Sequence, residues 1–136
     1  ILIYNLSAID ILGPLRMISQ SDVAEDGVQI KYTAIMAESL CMEGQGEVSI
    51  SGISALAVNG NVSLMSRGAI EKSIAWIKSG TAITAGSLNL EGYRAIFDPY
   101  TFLYIDGDFH MEASDESRCV MRGLYRAESV SGNCFE

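Results

Sequence analysis

From Val48 to Leu64 the chain alternates with a period of two. The even positions read Val48, Ile50, Gly52, Ser54, Leu56, Val58, Gly60, Val62 and Leu64. The odd positions read Ser49, Ser51, Ile53, Ala55, Ala57, Asn59, Asn61 and Ser63. One set is mostly branched and apolar, the other mostly small or polar. An extended strand sends successive side chains to opposite faces, so this pattern is a β signature. Asn59-Gly60 sits in its middle as a strong turn signal. A two-residue loop there would pair Val58 with Asn61 and Leu56 with Ser63, mixing apolar with polar. A three-residue loop, Asn59-Gly60-Asn61, pairs Val58 with Val62 and Leu56 with Leu64 and keeps one face apolar. The pattern therefore predicts a bulged hairpin, with a solenoid corner at Gly60 as the other solution.

The same reading extends along the chain. Val28 to Ala34, Ala82 to Leu90, Thr101 to Ala113 and Arg118 to Glu128 read as strands, with Thr84, Leu88 and Leu90 expected on one side. Ser66 can cap a helix whose stripe is Ile70, Ile74 and Ile77, with Gly80 as its stop. Pro14 suits the first turn of a short helix through Ser19. The fold class expected is mostly β: a compact antiparallel β-sandwich or barrel with one or two short helices. The alternative is an irregular β-solenoid. Val48-Ser49-Ile50 recurs loosely as Val62-Ser63-Leu64, and Ser-Gly pairs recur at uneven intervals. No linker divides the chain, so residues 1–136 read as a single β-rich domain, with 1–12 as a subunit-linking strand.

That segment is the most unusual one. Ile1, Ile3, Ile9 and Ile11 share one face of an extended chain, and Leu2, Tyr4, Leu6 and Leu12 the other. A strand apolar on both faces invites association if it lies at a solvated edge. It must be a central strand of its own domain or lie in a groove of another subunit. The subunit interface expected is Ile1, Ile3, Tyr4, Leu6, Ile9, Ile11 and Leu12. The stretch is interrupted by Asn5, Asp10 and Pro14, so it is not a membrane span.

Composition narrows the function classes. Apolar residues make up 49% of the 136, enough for a substantial core. Acidic residues number 17 against 9 basic, a net charge of -8, which repels nucleic-acid phosphates and anionic lipid. Nucleic acid is therefore not an expected partner. A single histidine, His110, removes multi-histidine metal sites and makes acid–base catalysis harder to build. No phosphate loop, dinucleotide fingerprint, nucleophile elbow or Cys-x-x-Cys pair is present.

The densest polar cluster is Asp106, Asp108, His110 and Glu112. On one strand these share a face, opposite Ile105, Phe109 and Met111, and could offer oxygen ligands plus one imidazole. Asp106-Gly107 is also a turn signal, which would scatter the cluster. No metal, cofactor or catalytic residue is assigned. The aromatics concentrate between Tyr93 and Phe109, where Tyr93, Phe97, Phe102 and Phe109 read as core. Cys119 and Cys134 flank a stretch near the C-terminus where a bridge would close a loop of ~15 residues, leaving Cys41 free. Bridging is expected if the protein is exported, to the cell surface or beyond. Together these features suggest a non-catalytic, structural subunit that assembles with itself into a filament, sheath or shell. The alternative is a ligand-binding module, for carbohydrate or calcium, of an exported protein.

Overall fold

The computed structural model describes residues 1–5, 8–23, 26–52 and 54–135. The chain winds as a parallel β-solenoid of about 5 turns. The first pass holds β1 (Leu2–Tyr4), β2 (Ile9–Asp10) and β3 (Pro14–Ile18). The second holds β4 (Val28–Lys31), β5 (Ala34–Ala37) and β6 (Ser39–Gly44), and the third β7 (Val48–Ser51), β8 (Ser54–Val58) and β9 (Asn61–Ser66). The fourth holds β10 (Ile74–Ile77), β11 (Thr81–Ala85) and β12 (Ser87–Glu91). In the fifth, β13 (Arg94–Phe97) precedes the long β14 (Phe102–Glu112); in the last, β15 (Cys119–Met121) precedes β16 (Leu124–Ser131). The strands β1-β4-β7-β10-β13-β15 stack as one face. A second face is β2-β5-β8-β11 with the first part of β14 and β16. The third is β3-β6-β9-β12 with the remainder of those two long strands.

The alternation sets which side chains face inward, and the winding stacks them. Each inward position lies above its equivalent in the next pass. On the first face Ile3, Ile30, Ile50, Ile77, Phe97 and Met121 form one ladder. On the second, Ile9, Ile35, Leu56, Ile83, Leu103 and Tyr125 do so. On the third the ladder is Leu15, Leu40, Val62, Leu88, Phe109 and Val130. The three ladders converge on one core, in which Ile30, Ile50, Ile77, Phe97, Leu88 and Phe109 are buried. Each such side chain gains roughly 1.5–3 kcal/mol from burial.

The antiparallel sandwich or barrel is thereby overturned, because every strand pair among the described residues is parallel. Asn59-Gly60 is a corner between β8 and β9, not a hairpin. There Gly60 N–H donates to Glu38 O at 2.7 Å, Gly86 N–H to Gly60 O at 2.9 Å, and Gly107 N–H to Gly86 O at 2.7 Å. A Cβ at Gly60 would lie 2.8 Å from Glu38 O, and one at Gly86 2.7 Å from Asn59 O. Glycine lets the corners stack this closely. The corner at Gly86 also reverses one expected face: Thr84 points outward, while Leu88 and Leu90 point into the core.

Neither expected helix forms. Residues 67–73 are a loop, and Ile74–Ile77 is a strand because Ala75 and Ile77 register on Val48 and Ile50. Pro14–Ile18 is a strand whose only ladder partner among the described residues is β6, an edge position that tolerates proline's missing N–H. The described residues contain two short 3-10 turns, Glu116–Arg118 and Asn133–Phe135, and no α-helix. No helix among them is long and apolar enough to cross a membrane.

The C-terminal turn closes the last pass. Phe135 stacks edge-on against Phe109 and Tyr125, at centroid distances of 5.2 and 5.8 Å. Asn133 pairs with Ala113 as a strand would: its Oδ1 accepts from Ala113 N–H at 3.0 Å and its Nδ2 donates to Ala113 O at 2.8 Å. Cys119 and Cys134 are joined by a disulfide, with Cα atoms 5.4 Å apart, and Cys41 is free.

Candidate functional site

Two outward faces of the solenoid carry the candidate sites. The second face is flat and apolar. Its outward side chains form two columns: Ala34, Ala55, Ala82, Phe102 and Leu124 in one, and Asp10, Met36, Ala57, Thr84, Tyr104 and Arg126 in the other. Between Asp10 in the first pass and Arg126 in the last, neither column holds a charge. Met36, Phe102 and Leu124 are 57%, 59% and 65% exposed. Two shallow grooves, of about 380 and 350 Å³, run along this face and share Ala82 and Thr84. Apolar side chains exposed together in one patch mark an interaction surface more often than scattered ones do. Phe102 was expected in the core; it lies here because Leu103 takes the inward position beside Ile83.

The third face is polar. Cys41, Ser63, Asn89, His110 and Ser131 form one outward column. Glu43, Met65, Glu91 and Glu112 form the next. The His110 ring sits between them. Its Nδ1 lies 2.9 Å from Ser131 Oγ. The Ser131 hydroxyl donates to Asp108 Oδ2 at 2.6 Å, so its oxygen is free to accept from Nδ1–H. Nε2 then faces Glu91 Oε1 at 3.2 Å and Glu112 Oε2 at 3.7 Å. Hydrogen bonds from Ser131, and secondarily from Ser129, hold the Asp108 carboxyl below its ordinary range. The sign is that of any lowered carboxyl: this contribution to stability is present above the ordinary value, about 3.9, and is lost as the pH falls through the folded value.

Two chemistries are open to this arrangement. A protonated ring can ion-pair with both carboxylates. A neutral ring protonated at Nδ1 turns the Nε2 lone pair toward them, and one ligand atom from each of Glu91, His110 and Glu112 lies within 4.8 Å of the others. One nitrogen and two carboxylate oxygens suit a borderline divalent cation. The Asp108–Ser131 pair would act as the outer support that fixes the ring.

Of the residues singled out from the sequence, the structure brings His110 and Glu112 together and sets Asp108 behind the ring. Asp106 lies on the far side of the Gly107 corner and does not join them. Glu91 was missed. It enters from the neighbouring pass, where it registers on Glu112, and only the turn length could have revealed it. On the N-terminal segment, Ile3, Ile9 and Ile11 pack toward the core, while Ile1, Tyr4 and Leu12 are exposed; Leu6 lies outside the described residues. β1 pairs with β4 of its own chain, and its outer edge has no partner strand among the described residues. No protein-family model, curated protein or solved structure matches the chain.

Proposed function

We propose that this protein is a structural, non-catalytic subunit that associates with copies of itself. The observation that carries the reading is the flat second face, whose exposed Met36, Phe102, Tyr104 and Leu124 lie over a floor of alanines. A regular sheet surface of small residues is easy to desolvate and to cover with another of its kind. A second contact is available at the first pass. β1, whose outer edge has no partner strand among the described residues and whose Ile1, Leu2 and Tyr4 are exposed, offers a strand-pairing surface. One contact on a face and another on an end together generate an extended assembly, whereas either alone gives a closed pair. The test replaces Phe102 and Tyr104 with glutamate. Because both side chains point to solvent, the melting temperature should hold while concentration-dependent association in sedimentation velocity disappears. A variant that associates as the unmodified protein does would remove the second face from the contact.

The His110 cluster favours a second reading, a module that binds a divalent cation on its third face. Calorimetry with zinc chloride should then show one site, weakened at least tenfold by Glu91→Gln or His110→Ala. No heat, together with unmoved His110 ring resonances on adding zinc, would leave the cluster as an ion pair.

A further inference from the structure

We propose that two copies pack second face against second face with their solenoid axes antiparallel, related by a two-fold axis that runs along the strands between β8 and β11. The proposal rests on the self-association reading and specifies the partner's orientation. Its basis is the distribution of charge and size along the two outward columns. Consecutive passes are ~4.8 Å apart, so Asp10 and Arg126 stand at opposite ends of a column about 24 Å long. The Arg126 guanidinium lies over the Tyr104 ring, 5.6 Å from its centroid, which holds the charge at that end of the face.

A two-fold axis along the strands keeps each column opposite itself and reverses the order of the passes. Asp10 then meets Arg126 of the second copy, and the same pair forms again at the other rim. Size is matched by the same operation. Phe102 in the fifth pass meets Ala34 of the second, Tyr104 meets Met36, and Ala57 meets Thr84 across the axis. Phe102 settles over an alanine, and Tyr104 lies against the flexible Met36 side chain. The competing arrangement has the two-fold axis along the solenoid. It keeps each pass opposite itself and exchanges the two columns, which brings Asp10 beside Asp10 and Arg126 beside Arg126, and it presses Phe102 on Tyr104 at one end while Ala55 meets only Ala57. Like charges opposed in this way disfavour a pairing.

The area sets the strength. A face about 24 Å long and four or five residues wide covers well under the ~800 Å² per partner of a standard interface, so the dimer is weak and forms at micromolar or higher concentration. Rim charges in such a contact choose orientation more than they add affinity.

The experiment is a charge exchange read by sedimentation equilibrium on the full chain. Asp10→Arg alone and Arg126→Asp alone should each weaken dimerisation about tenfold, since the two-fold axis makes every single change act at both rims. The doubly exchanged protein, D10R with R126D, should return to within about threefold of the unmodified one. Asp10→Asn and Arg126→Gln, which add no repulsion, should weaken it by only a few-fold. Unmodified protein that stays monomeric to millimolar concentration would overturn the self-association reading itself. Association that ignores the single reversals, or is not restored by the double one, would overturn the orientation and leave self-association standing.

Discussion

Replacing Phe109 with alanine is expected to cost about 3–5 kcal/mol of folding stability. Phe109 is fully buried where the third face meets the last passes. Its ring stacks edge-on against Phe97, Tyr125 and Phe135 at centroid distances of 5.9, 5.4 and 5.2 Å. The substitution removes the transfer free energy of the ring and leaves a cavity. The surrounding ladders cannot close over it, because each rung is fixed by the pass on either side. Three aromatic contacts worth about 0.5–1.5 kcal/mol each beyond area are lost as well, which places the effect near the upper end of the range. Phe109→Leu keeps most of the volume and should cost clearly less. Urea titration followed by circular dichroism measures both. A loss below about 1 kcal/mol for the alanine variant would mean that the ring is not packed as described.

Opening the Cys119–Cys134 bridge is the second large effect. The bridge spans 15 residues, so the loop it closes restricts the unfolded chain by about 3 kcal/mol. It also ties the Asn133–Phe135 turn to β15, which keeps Phe135 on Phe109 and Asn133 on Ala113. Cys134→Ser should lower stability by roughly that amount, and reduction of the unmodified protein should reproduce most of the loss. Unfolded, unreduced protein should show one free thiol, that of Cys41. In the folded protein this thiol should react slowly, because burial, and then the Glu43 carboxylate, push it above the ordinary thiol range. Three free thiols without reductant, or no loss of stability on reduction, would contradict the arrangement.

The period of two was legible, and with it the strands and the inward residues of the core. Which strand lies beside which was not. Alternation tells in from out, but a hairpin at Asn59-Gly60 and a corner at Gly60 bury the same side chains. Turn length would have decided it, yet the turns are uneven: 20 residues separate Val28 from Val48, and 27 separate Val48 from Ala75. The loop of residues 67–73 hides the repeat, and the spacing of Ile70, Ile74 and Ile77 imitates a helical stripe there. In the fold, Ile77 is held by Ile50 and Phe97, and this ladder outweighs local preference. The same ignorance of turn length hid Glu91 from His110 and Glu112. It also hid the second face, whose alanines read in sequence only as the small side of a strand.

The central claim is that this flat face is where copies meet, and methyl NMR across a dilution series tests it most directly. The account predicts that the methyl resonances of Met36, Ala55, Ala57, Ala82 and Thr84 move together with concentration, while that of Met65 on the third face stays fixed. Spectra that do not change from dilute to concentrated protein, or changes confined to the third face, would contradict it.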